Sequence, residues 1–231
     1  MKTAILVDGG FYRRHAYSVL GDLSPEDRAQ ELYDYCQKHL HYKGRSSELY
    51  RILYYDCLPS SKRVYHPFLK RQIDLAKNPT YKWSMDFFNS LKTKRKFAIR
   101  LGMLSEATAH YIIKPDITKK LCAGTKQFSD LTETDFQFKC EQKGVDMKIG
   151  LDIASMAYKK QVDQIILISG DSDFVPAAKL ARREGIDFIL DPLFATIKPE
   201  LLEHVDGIRT CDGRYNPNYK NKQSCLRQDE I

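Results

Sequence analysis

The chain has 231 residues, 42% hydrophobic and 29% charged, with a formal net charge of +7. That length supports one sizeable core, alone or with an insertion, and that balance excludes a generally disordered chain. No apolar run is long enough to span a bilayer, and the apolar stretch in "MKTAILVDGG" is too short for a signal peptide, so a cytoplasmic protein without membrane contact is expected.

The unbroken apolar run "TAILV" (3–7) predicts a strand buried on both faces. In "LSPEDRAQELYDYCQKHLHY", Ser24 is placed to cap a helix and Pro25 to occupy its first turn. Leu32, Tyr35, Cys36, His39 and Leu40 follow helical spacing. "ELYRILYYDCL" (48–58) predicts a second strand. The stretch from 60 to 130 is less regular, with helices expected in "PFLKRQIDLAKN" and "SMDFFNSLKTKR" and strands in "KFAIRLGML" and "HYIIK". "DFQFKCEQK" (135–143) alternates like a half-buried strand.

"VDMKIGLDIASMAYKKQ" predicts a helix, with Val145, Ile149, Ile153 and Met156 on one stripe. Strand "QIILIS", helix "DFVPAAKLARREG" stopped at Gly185, and strand "IDFIL" follow. A short helix "KPELLEHV" and a strand "GIRTC" precede a polar, aperiodic tail, 213–231, expected to be mobile. Strands alternating with helices predict a parallel sheet wrapped on both faces, with ligand-binding loops at the carboxyl ends of its strands. The expected organisation is one domain over 1–212 with an insertion at 60–135.

The positive charge is localised. Residues 61–120 hold fourteen Lys or Arg and four Asp or Glu, a local +10, and the remainder of the chain is −3. Tyr65, Phe68, Tyr81, Trp83, Phe87, Phe88 and Phe97 are interleaved with that charge. Such a run is commonly a solvated face, but cations with flat rings also suit a polyanion with exposed bases. Lys92, Lys94, Arg95 and Lys96, together with Arg13 and Arg14, are the candidate nucleic-acid contacts. The six cysteines show no CxxC or CxxH pairing, so reduced, mostly buried thiols are expected rather than a metal site. The six histidines form no recognisable constellation and read as surface or packing residues.

"SGDSDF" (169–174) places Asp171 and Asp173 at the mouth of a buried strand. One aspartate suffices to cap the helix that follows, whereas two from one tight turn suit a cation. Asp8 closes the first strand ahead of Gly9 and Gly10, and Asp146 opens its helix, where the dipole favours a carboxylate. Asp152 lies six residues on, roughly 120° away around the helix at about 100° per residue, so it is an accessory candidate. Acids from separate segments at one sheet edge repel unless something positive neutralises them. Hard oxygen ligands in an open pocket suit Mg²⁺ or Mn²⁺.

"ILVDGGF", "KGVDMKIGLDIASMA" and "DQIILISGDSDFVPAAKLARREGIDFIL", in this order, resemble the NYN-domain nucleases, the LabA-like group of the PIN-domain superfamily. The resemblance covers residues 3–20 and 140–210. It implies a three-layer α/β/α PIN-like (Rossmann-like) fold with a mostly parallel central sheet and metal-dependent hydrolysis of RNA. It carries the metal-binding, catalytic acids onto Asp8, Asp146, Asp171 and Asp173, with Asp152 accessory and Ser169 as a supporting hydroxyl. Many relatives have an asparagine shortly after the first aspartate, and "GGFYRRH" has none. Two other readings compete. A catalytically silent PIN-like module would bind RNA or regulate a partner. A haloacid-dehalogenase-type phosphatase would need a second acid in the first loop, where Gly9 and Gly10 stand. The oligomeric state is left open, a homodimer included.

Overall fold

The computed structural model describes residues 1–42 and 44–218. In chain order the elements are β1 (Lys2–Asp8), α1 (Gly9–Leu20), α2 (Pro25–Leu40), β2 (His41–Tyr42), β3 (Arg45–Ser46), β4 (Glu48–Cys57), β5 (Arg63–His66) and β6 (Arg71–Asp74). Then come α3 (Pro79–Lys92), β7 (Phe97–Ile113), α4 (Pro115–Cys122), β8 (Phe136–Lys143), α5 (Val145–Tyr158) and β9 (Gln164–Ile168). The last are α6 (Val175–Arg183), β10 (Asp187–Asp191), α7 (Pro199–Leu202) and β11 (Gly207–Ile208). The chain forms two compact units, one from 1–56, 86–102 and 144 onward, the other from 57–85 and 103–143.

In the first unit the sheet runs β11-β10-β9-β1-β4-β7, with β1 parallel to both β4 and β9, and β10 parallel to β9 and β11. Ala4 to Val7 and Ile165 to Ile168 are wholly buried, as uninterrupted apolar strands require when helices cover both faces. From β1 the chain moves outward one way through β4, and later the other way from β9 through β10. Right-handed crossovers in opposite directions put their helices on opposite faces, giving the three-layer α/β/α arrangement. The order reverses between β1 and β9, and the crevice at their carboxyl ends is where such sheets bind ligands.

α1 begins directly after β1, where the glycine pair suggests a loop by sequence. Asp8 caps it through Phe11 N–H at 3.0 Å, and Phe11, Tyr12 and Ala16 bury one face. A Cβ on Gly9 would lie 2.5 Å from Tyr54 Cζ and 2.7 Å from Asp56 Oδ2, so only glycine lets the helix approach β4 this closely. Phe87, Phe88 and Phe97, grouped by sequence with the basic aromatic run, are core residues around Tyr54, with ring centroids 5.8, 6.2 and 6.3 Å away. Their burial removes them from any nucleic-acid surface.

The second unit is built differently from the sequence expectation. "PFLKRQIDLAKN" is not a helix. Val64 and His66 alternate with exposed Arg63 and Tyr65, and β5 and β6 pair as an antiparallel hairpin. "KFAIRLGML" and "HYIIK" are one strand, β7, which pairs antiparallel with β8 beyond Met103 with a register shift between Ser105 and His110. The expected insertion is therefore two stretches, because 86–102 belongs to the first unit. Phe68, Phe136, His66, Tyr111 and Phe138 contact one another in file, with His66 buried, Phe136, Tyr111 and Phe138 half-buried and Phe68 exposed. Lys126 pairs with Asp135 at 2.7 Å.

The start of the supposed tail is ordered by packing. Tyr215 is fully buried, its hydroxyl 2.9 Å from Glu31 Oε1 on α2, and Arg214 and Lys38 hold Asp212 at 2.8 and 2.6 Å. The remainder of the tail, 219–231, lies outside the described residues. Burial works against the Asp212 ion, but the Arg214 and Lys38 hydrogen bonds overcome it and hold the carboxyl well below its ordinary range. A depressed folded pKa contributes stability above the unfolded value, which is lost as pH falls through the folded one. Asp212→Asn is therefore expected to lower the melting temperature at pH 7. The gap from the parent should shrink as pH is taken below 3.8, the ordinary value. A gap that does not change with pH would mean that the charge contributes nothing.

Candidate metal centre and active site

Asp8 ends β1 and Ser169 follows β9, so both stand at the crevice between the two central strands. Asp8 Oδ2 accepts from Ser169 Oγ at 3.2 Å, and the same hydroxyl oxygen accepts Asp171 N–H at 3.3 Å. Buried Ser169 thus joins the first carboxylate to the turn that bears the next two. Asp171 Oδ1 accepts Asp173 N–H at 3.0 Å, closing the one-turn helix Ser172–Phe174 ahead of α6. Asp171 is therefore a cap as well as a candidate ligand. A Cβ on Gly170 would meet Phe11 Cε2 at 2.8 Å, which is why glycine stands between Ser169 and Asp171.

Asp146 sits in the first turn of α5. α5 runs back along the sheet to deliver β9 at its amino end, so its own start lies at the carboxyl edge. Burial raises the Asp8 carboxyl above its ordinary value; the Phe11 and Ser169 hydrogen bonds pull it down, while the charge of Asp146 raises it and that of Arg14 lowers it. Asp146, exposed on one side, is raised by partial loss of water and then by the charges of Asp171 and Asp173. Three segments distant in sequence thus meet at Asp146, whose charge acts on Asp8 and which feels those of Asp171 and Asp173. Among the described residues, no three His, Cys, Asp or Glu side chains converge as a ready-made metal cage. Mg²⁺ does not demand one, since it keeps several waters and is held through one or two carboxylates and substrate phosphate. The hard oxygen donor set therefore fits such an ion.

The other sequence candidates are placed differently. Asp152 Oδ2 accepts from Tyr55 hydroxyl at 2.8 Å and Arg100 Nε at 3.1 Å, so its charge is already paired. Arg13 is turned onto Asp56 at 3.0 Å, while Arg14 is exposed and its charge reaches Asp8. Lys92 contacts Asn89 on its own helix at 3.2 Å, and Arg95 is exposed. Lys94 reaches Gln30 on α2, and Lys96 reaches Leu49 O and Glu48 at the start of β4. Glu48 pairs with Lys2 and Tyr55 with Asp8, so Lys96 is at the opposite end of the sheet from the carboxylates. Six residues of strand separate the two ends by about 20 Å. This run is not part of the site.

Two groups here were not legible as site residues in the sequence. Asp56, wholly buried at the end of β4, accepts Tyr54 hydroxyl at 3.0 Å and pairs with Arg13. An acid inside the apolar run "LYYDC" is its only signal. Lys198, just before α7, donates from Nζ to Ser172 Oγ at 3.1 Å, between Asp171 and Asp173. Nothing local in "ATIKPE" announces that position.

No helix among the described residues is long and apolar enough to cross a membrane. No curated protein matches the chain. A crystal structure of a protein of unknown function from Vibrio parahaemolyticus RIMD 2210633 is similar at 16% identity and a TM-score of 0.47, covering 92% of this chain and 94% of that one. The family model of the NYN domain matches residues 80–206, a span that includes Asp146, Asp171, Asp173 and Lys198 and begins after Asp8. With more than half of its length matched, and with an α/β sheet consistent with the PIN-like superfamily, the chain belongs to the NYN-domain family.

Proposed function

We propose that the chain is a Mg²⁺- or Mn²⁺-dependent ribonuclease that hydrolyses RNA phosphodiester bonds. The observation that carries this reading is the gathering of Asp8, Asp146, Asp171 and Asp173 at the sheet's switch point, where burial first, and then the charges of neighbouring acids, raise Asp8 and Asp146. Those four would hold the ion, directly or through water. A divalent ion there supplies an acidified water and charge neutralisation at the phosphate. The chain's own part is positional. Ser169 holds Asp8 and the Asp171 turn in register, Asp8 and Asp171 double as helix caps that fix their carboxylates, and Arg14 and Lys198 supply positive charge to a phosphate.

Incubating the chain with labelled single-stranded and structured RNAs, with Mn²⁺ and with chelator, tests the proposal. Chelator-sensitive cleavage supports it. Intact RNA that is nonetheless bound would favour a silent NYN module.

Asp146 and Asp152 separate a ligand from a supporting residue. Asp146→Ala is expected to be inactive at any Mn²⁺ concentration. Asp152→Ala loosens Tyr55 and Arg100 instead, a loss of about 10–100-fold that excess metal partly restores. Equal, unrescuable loss in both, read from initial rates across a Mn²⁺ titration, would place Asp152 on the ion.

A further inference from the structure

Residues 192–198 leave the end of β10 beside the carboxylates, since Ser169 N–H donates to Asp191 O at 3.1 Å. Leu193 and Phe194 both have left-handed backbones, with φ of 49° and 62°. Side chains branched or bulky near the backbone rarely adopt this conformation, and it persists only where the surroundings over-determine it. Here Asp191, wholly buried, takes Leu193 N–H at 2.9 Å, and Ala195 N–H closes on Pro192 O at 2.8 Å. The result turns Leu193 into the core and leaves Phe194 43% exposed. Asparagine or glycine would take the same backbone more easily, and a ring 43% exposed contributes less to folding than a buried one. Four residues on, Lys198 reaches Ser172 between two of the acids. The loop thus carries an exposed aromatic ring four residues ahead of a flexible cation that reaches the acidic turn.

We infer that this loop holds the nucleotide beside the bond attacked, Phe194 stacking on an unpaired base and Lys198 contacting its phosphate. The inference rests on the nuclease reading. A base within a duplex is already stacked on both faces, whereas an unpaired base offers a face to an aromatic side chain. Lysine, a compact charge on a flexible stem, suits a phosphate that arrives and leaves.

The test uses the full chain in chelator with a short fluorescein-labelled single-stranded RNA and a blunt duplex of the same sequence. Phe194→Ala is expected to weaken single-strand binding about ten-fold or more and to leave duplex binding unchanged. Phe194→Trp should restore affinity, with emission from the added indole quenched by RNA. Lys198→Ala should weaken binding and reduce the salt slope by about one, with Lys198→Arg recovering most of the affinity. With Mn²⁺, Phe194→Ala should raise KM and leave kcat intact. Unchanged single-strand affinity in both alanine variants, or equal weakening on the duplex, overturns the inference; if the parent still cleaves RNA, the nuclease reading stands without it. Ring-dependent binding without cleavage removes the nuclease reading and leaves the loop as an RNA-binding element.

Discussion

Asp171→Asn is expected to abolish RNA cleavage while leaving a folded protein at least as stable as the parent in the absence of metal. Asparagine keeps the Oδ1 that accepts Asp173 N–H, so the turn before α6 retains its cap. What is lost is a negative charge whose neighbour, Asp146, is pushed upward by it. A carboxylate raised in the folded state costs stability once pH exceeds its folded pKa, so relieving the repulsion favours folding at neutral pH and does nothing below the ordinary value of 3.8. Catalysis meanwhile loses a charged oxygen donor that an amide replaces poorly. Melting curves in chelator and single-turnover rates in Mn²⁺ measure the two effects separately. The parent should also gain more in melting temperature from Mn²⁺ than the variant does, because an ion bound only by the folded chain stabilises it. A variant that unfolds, or that retains full activity, would reduce Asp171 to a helix cap.

A comparably large effect, on stability rather than chemistry, is expected at Asp191. This wholly buried carboxylate, at the end of β10, receives Tyr35 hydroxyl, His39 Nε2 at 2.8 Å, Thr210 Oγ1 at 2.7 Å and Leu193 N–H at 2.9 Å. It ties α2 and the chain after β11 to the loop that carries Phe194. Asp191→Ala strands these donors in the core, where each unsatisfied group costs about 1–3 kcal/mol. Some will rearrange, so a loss of about 3–5 kcal/mol is expected from the urea midpoint, with Asp191→Asn milder because it keeps an acceptor. The loop should also open, making Phe194 a site of chymotrypsin cleavage in the variant and not in the parent. A loss below about 1 kcal/mol would show that the donors find other partners.

The parallel core was legible because each of its strands carries its own evidence. "AILV" and "QIILI" are apolar without interruption, and only a sheet covered on both faces accommodates such runs. The caps at Ser24 and Asp171 were equally local, since a cap and the amide it accepts lie two or three residues apart. The four acids could be assigned to strand ends and a helix start, and alternation of strand and helix places those at one edge.

Local pattern failed where a second segment decides the outcome. "PFLKRQIDLAKN" has helical spacing, but pairing with β5 makes its middle, Arg71–Asp74, a hairpin arm. α1 was hidden behind two glycines, of which Gly9 serves close approach to Tyr54 and Asp56 rather than a loop. Charge alone made "KTKRK" a candidate RNA contact, and only the register of β1 with β4 sends it to the far end of the sheet. Asp152 could be turned away from Asp146 by helix geometry, yet its partners, Tyr55 and Arg100, lie 97 and 52 residues away. Residue types, periodicity and spacing thus determined the sheet, its caps and the acids, because those depend on neighbours along the chain. Which acid is paired, which cation faces the acidic turn and which ring stays in water were decided by tertiary structure, because burial and charge pairing depend on neighbours in space.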